Sequence, residues 1–221
     1  MAAAYWCGPI SSWPGVPWTR RPTARRPCAP PFAPCSPASV ARVPYRGPQD
    51  GDAALFDRLA QERGEPVENI FLALANAPAV ASAVLTMATA LRQQTALDRQ
   101  LRELAVLSVG QVLEAEYELA HHHNSAVRAG LGAAKLAGLS QPEQSGRYSE
   151  AELAVIDYAR AVTTTGRADA ALWSRITRAL PLQEQVELVV TVAWYNAVVR
   201  MILPLEIDIE DWLVLLEPGQ P

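Results

Sequence analysis

The run Arg102-Glu103-Leu104-Ala105-Val106-Leu107-Ser108-Val109-Gly110-Gln111-Val112-Leu113-Glu114-Ala115-Glu116-Tyr117-Glu118-Leu119-Ala120-His121-His122 decides the fold. Its first part is apolar at nearly every position, so a helix there is buried on most faces and belongs at the centre of a domain. Its second part is helical again. Glu118 and His122 are four apart, which puts them on one face with Cβ atoms about 5–6 Å apart. On one straight helix Glu103 and Glu118 would stand about 22 Å apart. They can act together only if the chain turns between Gly110 and Ala115 and packs back antiparallel.

Helical periodicity extends outward from this pair. The pattern predicts helices over residues 52–63, 66–74, 78–93, 97–113 and 114–130. Leu55, Phe56 and Leu59 face inward in the first, and Gly64 ends it. Pro66 and Pro78 suit first turns, and Gly130 suits a C-cap. A polar loop is expected up to Arg147. Ser149 with Glu152 three residues on is a capping-box pattern, opening a helix to about Thr163. Asp169 caps another, to Leu180. A second long apolar helix covers 182–201 and is closed by Pro204. No segment alternates as a strand does, so the fold class is all-α. The longest apolar run, around 186–193, reads as a buried helix too short to span a bilayer.

The first 48 residues hold six arginines and no acid, leaving thirteen basic and twenty-three acidic residues for the rest. The net charge of −4 gives no basic face for nucleic acid. Residues 1–40 carry nine prolines, which forbid a continuous helix or central strand. This stretch is expected to be a disordered Pro/Arg-rich tail. It is alternatively a product of start-site choice, with the protein proper beginning near Val40, or a partner-binding arm. The domain is then residues 41–221. Cys7, Cys28 and Cys35, the only cysteines, all lie in the tail. The domain therefore has no disulfide, thiol nucleophile or Cys-ligated metal of its own.

A carboxylate beside an imidazole is a proton-transfer pair. Glu103, in an apolar stretch, needs a partner or a proton to be buried there; Arg99 and Arg102 are near. The plainer reading of Glu118/His122 is a salt bridge at an interface. His121-His122-His123 cannot all face one ion, because adjacent helical residues point about 100° apart. The paired Glu-x-x-His motifs of helical-bundle metal sites are also missing. His121 and His123 read as solvated or interface histidines. Trp173, Trp194 and Trp212 read as core or interface aromatics.

The residues Arg102 to Leu107, then Ala115 to His122 with Ala126 and Gly130, resemble the carboxymuconolactone decarboxylase family. That family shares its fold with the alkylhydroperoxidase AhpD. Trp194-Tyr195-Asn196-Ala197-Val198-Val199-Arg200 and Ala41-Arg42-Val43-Pro44-Tyr45 also resemble family segments, so the likeness covers about 41–213. In the peroxidatic branch, a Cys-x-x-Cys and a histidine follow a glutamate. Counted from Glu103, the cysteine positions fall on Ala115 and Glu118, and the histidine on His122. The resemblance is therefore to the cysteine-free branch. It implies a cofactor-independent, carboxy-lyase-like enzyme that decarboxylates a small lactone or carbonyl acid by acid–base proton transfer. His122 would deliver the proton, Glu118 would orient it, and Glu103 would support the relay or hold a proton. Tyr117, Tyr195, Asn196 and Arg200 are candidate substrate-binding residues. Arg102, Arg128 and Arg200 are the cations near the motifs. The partners implied are a small-molecule substrate and further copies of the chain. No cofactor, metal, nucleic acid or membrane is expected, and the location is expected to be cytoplasmic. The alternatives are a degenerate relative acting as a binding or scaffold protein, and peroxidase-like chemistry with Cys28 or Cys35 folded over the pocket.

Overall fold

The structure is a computed structural model that describes residues 41–50 and 52–219. The expectations for residues 1–40, including the disordered tail and its cysteines, lie outside the described residues. Among the described residues there are ten helices and no strand. They are α1 (Ala53–Arg63), α2 (Asn69–Leu74), α3 (Pro78–Gln93), α4 (Arg99–Val112), α5 (Glu116–Arg128), α6 (Ala133–Gly138), α7 (Pro142–Ser145), α8 (Glu150–Thr165), α9 (Ala170–Ala179) and α10 (Leu182–Leu205).

Side-chain caps fix several starts. Asp52 accepts from the Ala54 and Leu55 amides, and Asp98 from those of Gln100 and Leu101. Ser149 and Glu152 form the full capping box, and Asp169 accepts from Leu172. Each supplies an acceptor to otherwise orphaned amides, typically about 1 kcal/mol. Pro66 does not open α2: Glu68 is extended and caps a shorter helix from Asn69. The expected loop after Gly130 contains α6 and α7, of six and four residues. Neither is long enough to show a period in sequence.

α4 is the central helix, with every residue from Arg102 to Gly110 buried. It packs against α5, α8 and α10. The turn into α5 falls where the sequence demanded one. Glu114 takes φ 52°, and the Ala115 amide donates to the Gly110 carbonyl at 2.9 Å. Gly110 lets the helices approach closely: a Cβ would stand 3.1 Å from Leu119 Cδ2, which would have to give way. Glu103 then meets His122 while Gly110 meets Leu119, so the two helices run antiparallel.

α10 is longer than expected. Pro204 sits inside its last turn, where it forfeits only its own amide bond, and Glu206 at φ 51° closes it. At 24 residues it is long and apolar enough by composition to cross a membrane, contrary to the sequence reading of a run too short to span. Leu188, Val192, Tyr195, Val199 and Ile202 recur on one face and are buried in the core. That packing accounts for the apolar stripe. Residues 41–46 lie along the far end of α10: the Arg42 amide donates to Leu205 O, its guanidinium pairs with Glu206, and Tyr45 donates to Asp208.

Candidate active site

α5 and α10 bring Tyr117, Glu118, His122 and Tyr195 to a cavity of about 270 Å³, and α4 places Glu103 behind His122. His122 Nδ1 lies 2.7 Å from Glu103 Oε2. The other oxygen, Oε1, accepts twice from Arg102, at 3.1 Å each. Burial alone would raise the Glu103 carboxyl. The adjacent His122 imidazole and Arg102 guanidinium outweigh burial and hold it below the usual range. An ionised Glu103 accepts a hydrogen bond from Nδ1–H, which leaves Nε2 as the working nitrogen.

Glu118 Oε2 stands 3.3 Å from His122 Nε2. That oxygen is buried and has no hydrogen-bond partner among the described residues. Burial pushes the Glu118 carboxyl above the usual range, Glu103 adds to this, and the His122 and His121 imidazoles only partly offset it. The shorter contact to the imidazole therefore comes from Glu103, while burial favours the neutral form of the Glu118 carboxyl. The sequence reading gave the orienting role to Glu118 and left Glu103 to support the relay or hold a proton.

Tyr195 meets the His122 ring edge-on, with centroids 4.7 Å apart, and lines the cavity. Burial, with Glu103 and Glu118 nearby, raises its phenol well above the usual range, so it stays a neutral donor. Asn196 is not brought to the cavity; it donates to Thr163 Oγ1 and the Val192 carbonyl. Arg200 is exposed and bonded back to Asn196. Arg102 is consumed by Glu103 and the Arg92 carbonyl. The cations that do line the cavity are Arg63, Arg92 and Arg128. Arg63 is paired with Glu68 at 2.5 Å. The Arg92 and Arg128 side chains make no hydrogen bond or ion pair among the described residues, and burial lowers the pKa of the Arg92 guanidinium. Trp194 and Trp212 also line the cavity, so neither is only a packing aromatic.

A second carboxylate-backed imidazole lies beside the first. His121 Nε2 is 2.6 Å from Glu210 Oε2. Glu210 Oε1 accepts from the Tyr117 hydroxyl and the Asn69 amide, both at 2.6 Å. Burial would raise Glu210, but the bonds from His121, Tyr117 and Asn69 hold it below the usual range. The Tyr117 ring stacks on His121 at 4.5 Å. His121 and His123 are thus part-buried and bonded rather than solvated; His123 Nε2 meets the Leu216 carbonyl at 2.8 Å. Glu210 left no signal in sequence. It follows α10 in an irregular segment, and Arg63 and Arg92 come from helix ends far along the chain. Among the described residues no group of three or more His, Asp or Glu side chains is placed to hold a metal ion.

Residues 78–161 match the carboxymuconolactone decarboxylase family. No curated protein matches the chain. Among solved structures, a cysteine-to-alanine variant of the debrominase Bmp8 in complex with 2,3,4-tribromopyrrole is 19% identical, with TM-score 0.68 over 78% of this chain and 94% of that one. An uncharacterized peroxidase-related protein with an alkylhydroperoxidase AhpD core, from Ralstonia eutropha JMP134, is 16% identical, with TM-score 0.72 over 82% and 98%. A peroxidase-related protein from Silicibacter sp. TM1040 is 14% identical, with TM-score 0.69 over 86% and 99%. These likenesses establish an AhpD-like fold.

Proposed function

We propose that this chain, whose residues 78–161 belong to the carboxymuconolactone decarboxylase family, is a cofactor-independent enzyme acting by proton transfer on a small lactone or carbonyl acid. The observation that carries this reading is His122: Nδ1 lies 2.7 Å from the buried Glu103 carboxylate, while Nε2 stands 3.3 Å from the buried Glu118 carboxyl at the cavity. Loss of carbon dioxide from such an acid breaks the bond to the carboxylate and leaves the electron pair delocalised as an enolate. A proton from Nε2 to carbon completes the reaction. Glu118, 3.3 Å away, is placed to restore that proton. Arg92 and Arg128 offer unpaired positive charge to a substrate anion, and the Tyr195 hydroxyl a neutral donor. No thiol is available from residue 36 onward, so a disulfide cycle has no nucleophile in the domain.

The cavity volume suits a small molecule. The Bmp8 neighbour, solved with a tribromopyrrole, gives a precedent for a small ring bound to this fold. The reading includes a homo-oligomer, since Leu182, Val186, Val189 and Val190 leave an apolar face of α10 exposed.

The test is carbon dioxide release from a panel of β-keto acids and γ-lactone carboxylic acids in deuterated water, without added metal or cofactor. The expected result is turnover of at least one member, with a single deuteron on the carbon that lost its carboxylate. Turnover that depends on an added cofactor would contradict the reading. So would a panel left untouched by protein that binds its members.

A further inference from the structure

We propose that His121 is a second proton donor of this cavity, aimed from Nδ1 at the substrate oxygen that gathers negative charge, with Glu210 as its positioning residue. The proposal rests on the role given to His122 and supplies what that role lacks, a partner for the enolate oxygen. Adjacent positions on a helix point about 100° apart, so consecutive histidines rarely serve one site. Here both line the same cavity, and the segment after α10 places Trp212 at its wall and Glu210 behind His121. The two imidazoles are built alike. One nitrogen of each is held by a buried carboxylate, at 2.7 Å for His122 and 2.6 Å for His121. The other is left without a hydrogen bond among the described residues. The His121 ring is further fixed by stacking on Tyr117 and by the edge of Trp212 at 6.3 Å. The Glu210 side chain is only 1% exposed. A latch for the C-terminal segment alone needs no such charge, because Asn124 already bonds both Val214 O and the Leu216 amide.

The step balances without any outside reagent. As the bond to the leaving carboxylate breaks, its electron pair moves onto the carbonyl oxygen, which takes a hydrogen bond or a proton from His121 Nδ1. To donate from Nδ1 the ring must carry both protons, and the Glu210 carboxylate 2.6 Å from Nε2 is placed to balance that charge. His122 then protonates carbon, the enol returns its proton to His121, and one solvent proton is consumed per carbon dioxide released.

The probe is tetronate, a small lactone that is already an enolate at neutral pH. It is titrated into full-length protein carrying ¹⁵N-histidine. The expected result is saturable binding with the resonances of both His121 Nδ1 and His122 Nε2 displaced. His121→Gln should weaken the tetronate Kd by at least about tenfold. Displacement of His122 Nε2 alone would overturn this inference and leave the proposed function standing. Displacement of neither nitrogen would overturn both. The resonances are read on the unmodified protein, so the result does not depend on the variant folding.

Discussion

His122 has two nitrogens, and the fold treats them differently. Glu103 takes Nδ1 and is itself gripped by Arg102, so the ring cannot turn without breaking a buried network. Glu103→Gln keeps the shape but removes the charge that selects the tautomer. It is predicted to lower turnover roughly 10²- to 10⁴-fold and stability by about 1–3 kcal/mol, read by steady-state rates and urea denaturation. Glu118 obeys the opposite rule. Its carboxyl is raised in the folded state, so its contribution to stability is full below the ordinary carboxylate value and is lost as pH rises through the raised one. Glu103 is lowered, so its contribution is present above the ordinary value and lost as pH falls through the lowered one. Glu118→Gln should therefore raise the urea midpoint at about pH 8 and leave it nearly unchanged at about pH 4. A fall at pH 8 would show that Glu118 is ionised and paired. Glu103, Glu118 and His122 were legible in sequence because spacing on two adjacent helices is enough to unite them. Which glutamate orients the ring was not legible, because that depends on the packing angle between α4 and α5.

At the scale of the element, the same division holds. Ser149 with Glu152, and Asp169, marked their helix starts openly, because a cap is a local match between one side chain and the next turn; Asp52 was read as the first helical residue and proved to be the cap. The end of α10 was hidden, because whether a proline stops a helix depends on the backbone of its neighbours; here Glu206 accepts the left-handed conformation two residues later. Arg63 and Arg92 were equally hidden, since they close α1 and α3 as solvated cations do and reach the cavity only through tertiary packing. The α4–α10 seam is the element on which the site hangs. Leu188 is fully buried in it with Val106, Val109 and Val192. Leu188→Ala is predicted to cost about 2–5 kcal/mol, measured by chemical denaturation. A loss under about 1 kcal/mol would mean that the seam relaxes around the cavity.

For the molecule as a whole, the described chain meets the end of α10 from Arg42 onward. Arg42 to Glu206 and Tyr45 to Asp208 tie the start of the described chain to the segment that carries Glu210. A chain begun at Ala41 is predicted to keep the melting temperature and sedimentation behaviour of the full one. A chain begun at Gly47 is predicted to melt lower and to bind tetronate more weakly, because the Glu210 segment loses its anchor. Everything proposed for the cavity depends on His122 Nε2 delivering the proton. His122→Gln, assayed on a substrate that the unmodified protein turns over, puts that to the proof. The expected rate is roughly 10²- to 10⁴-fold lower, with melting temperature nearly retained and deuterium no longer incorporated at the carbon. Turnover within about threefold of the unmodified protein, from a folded variant, would contradict it.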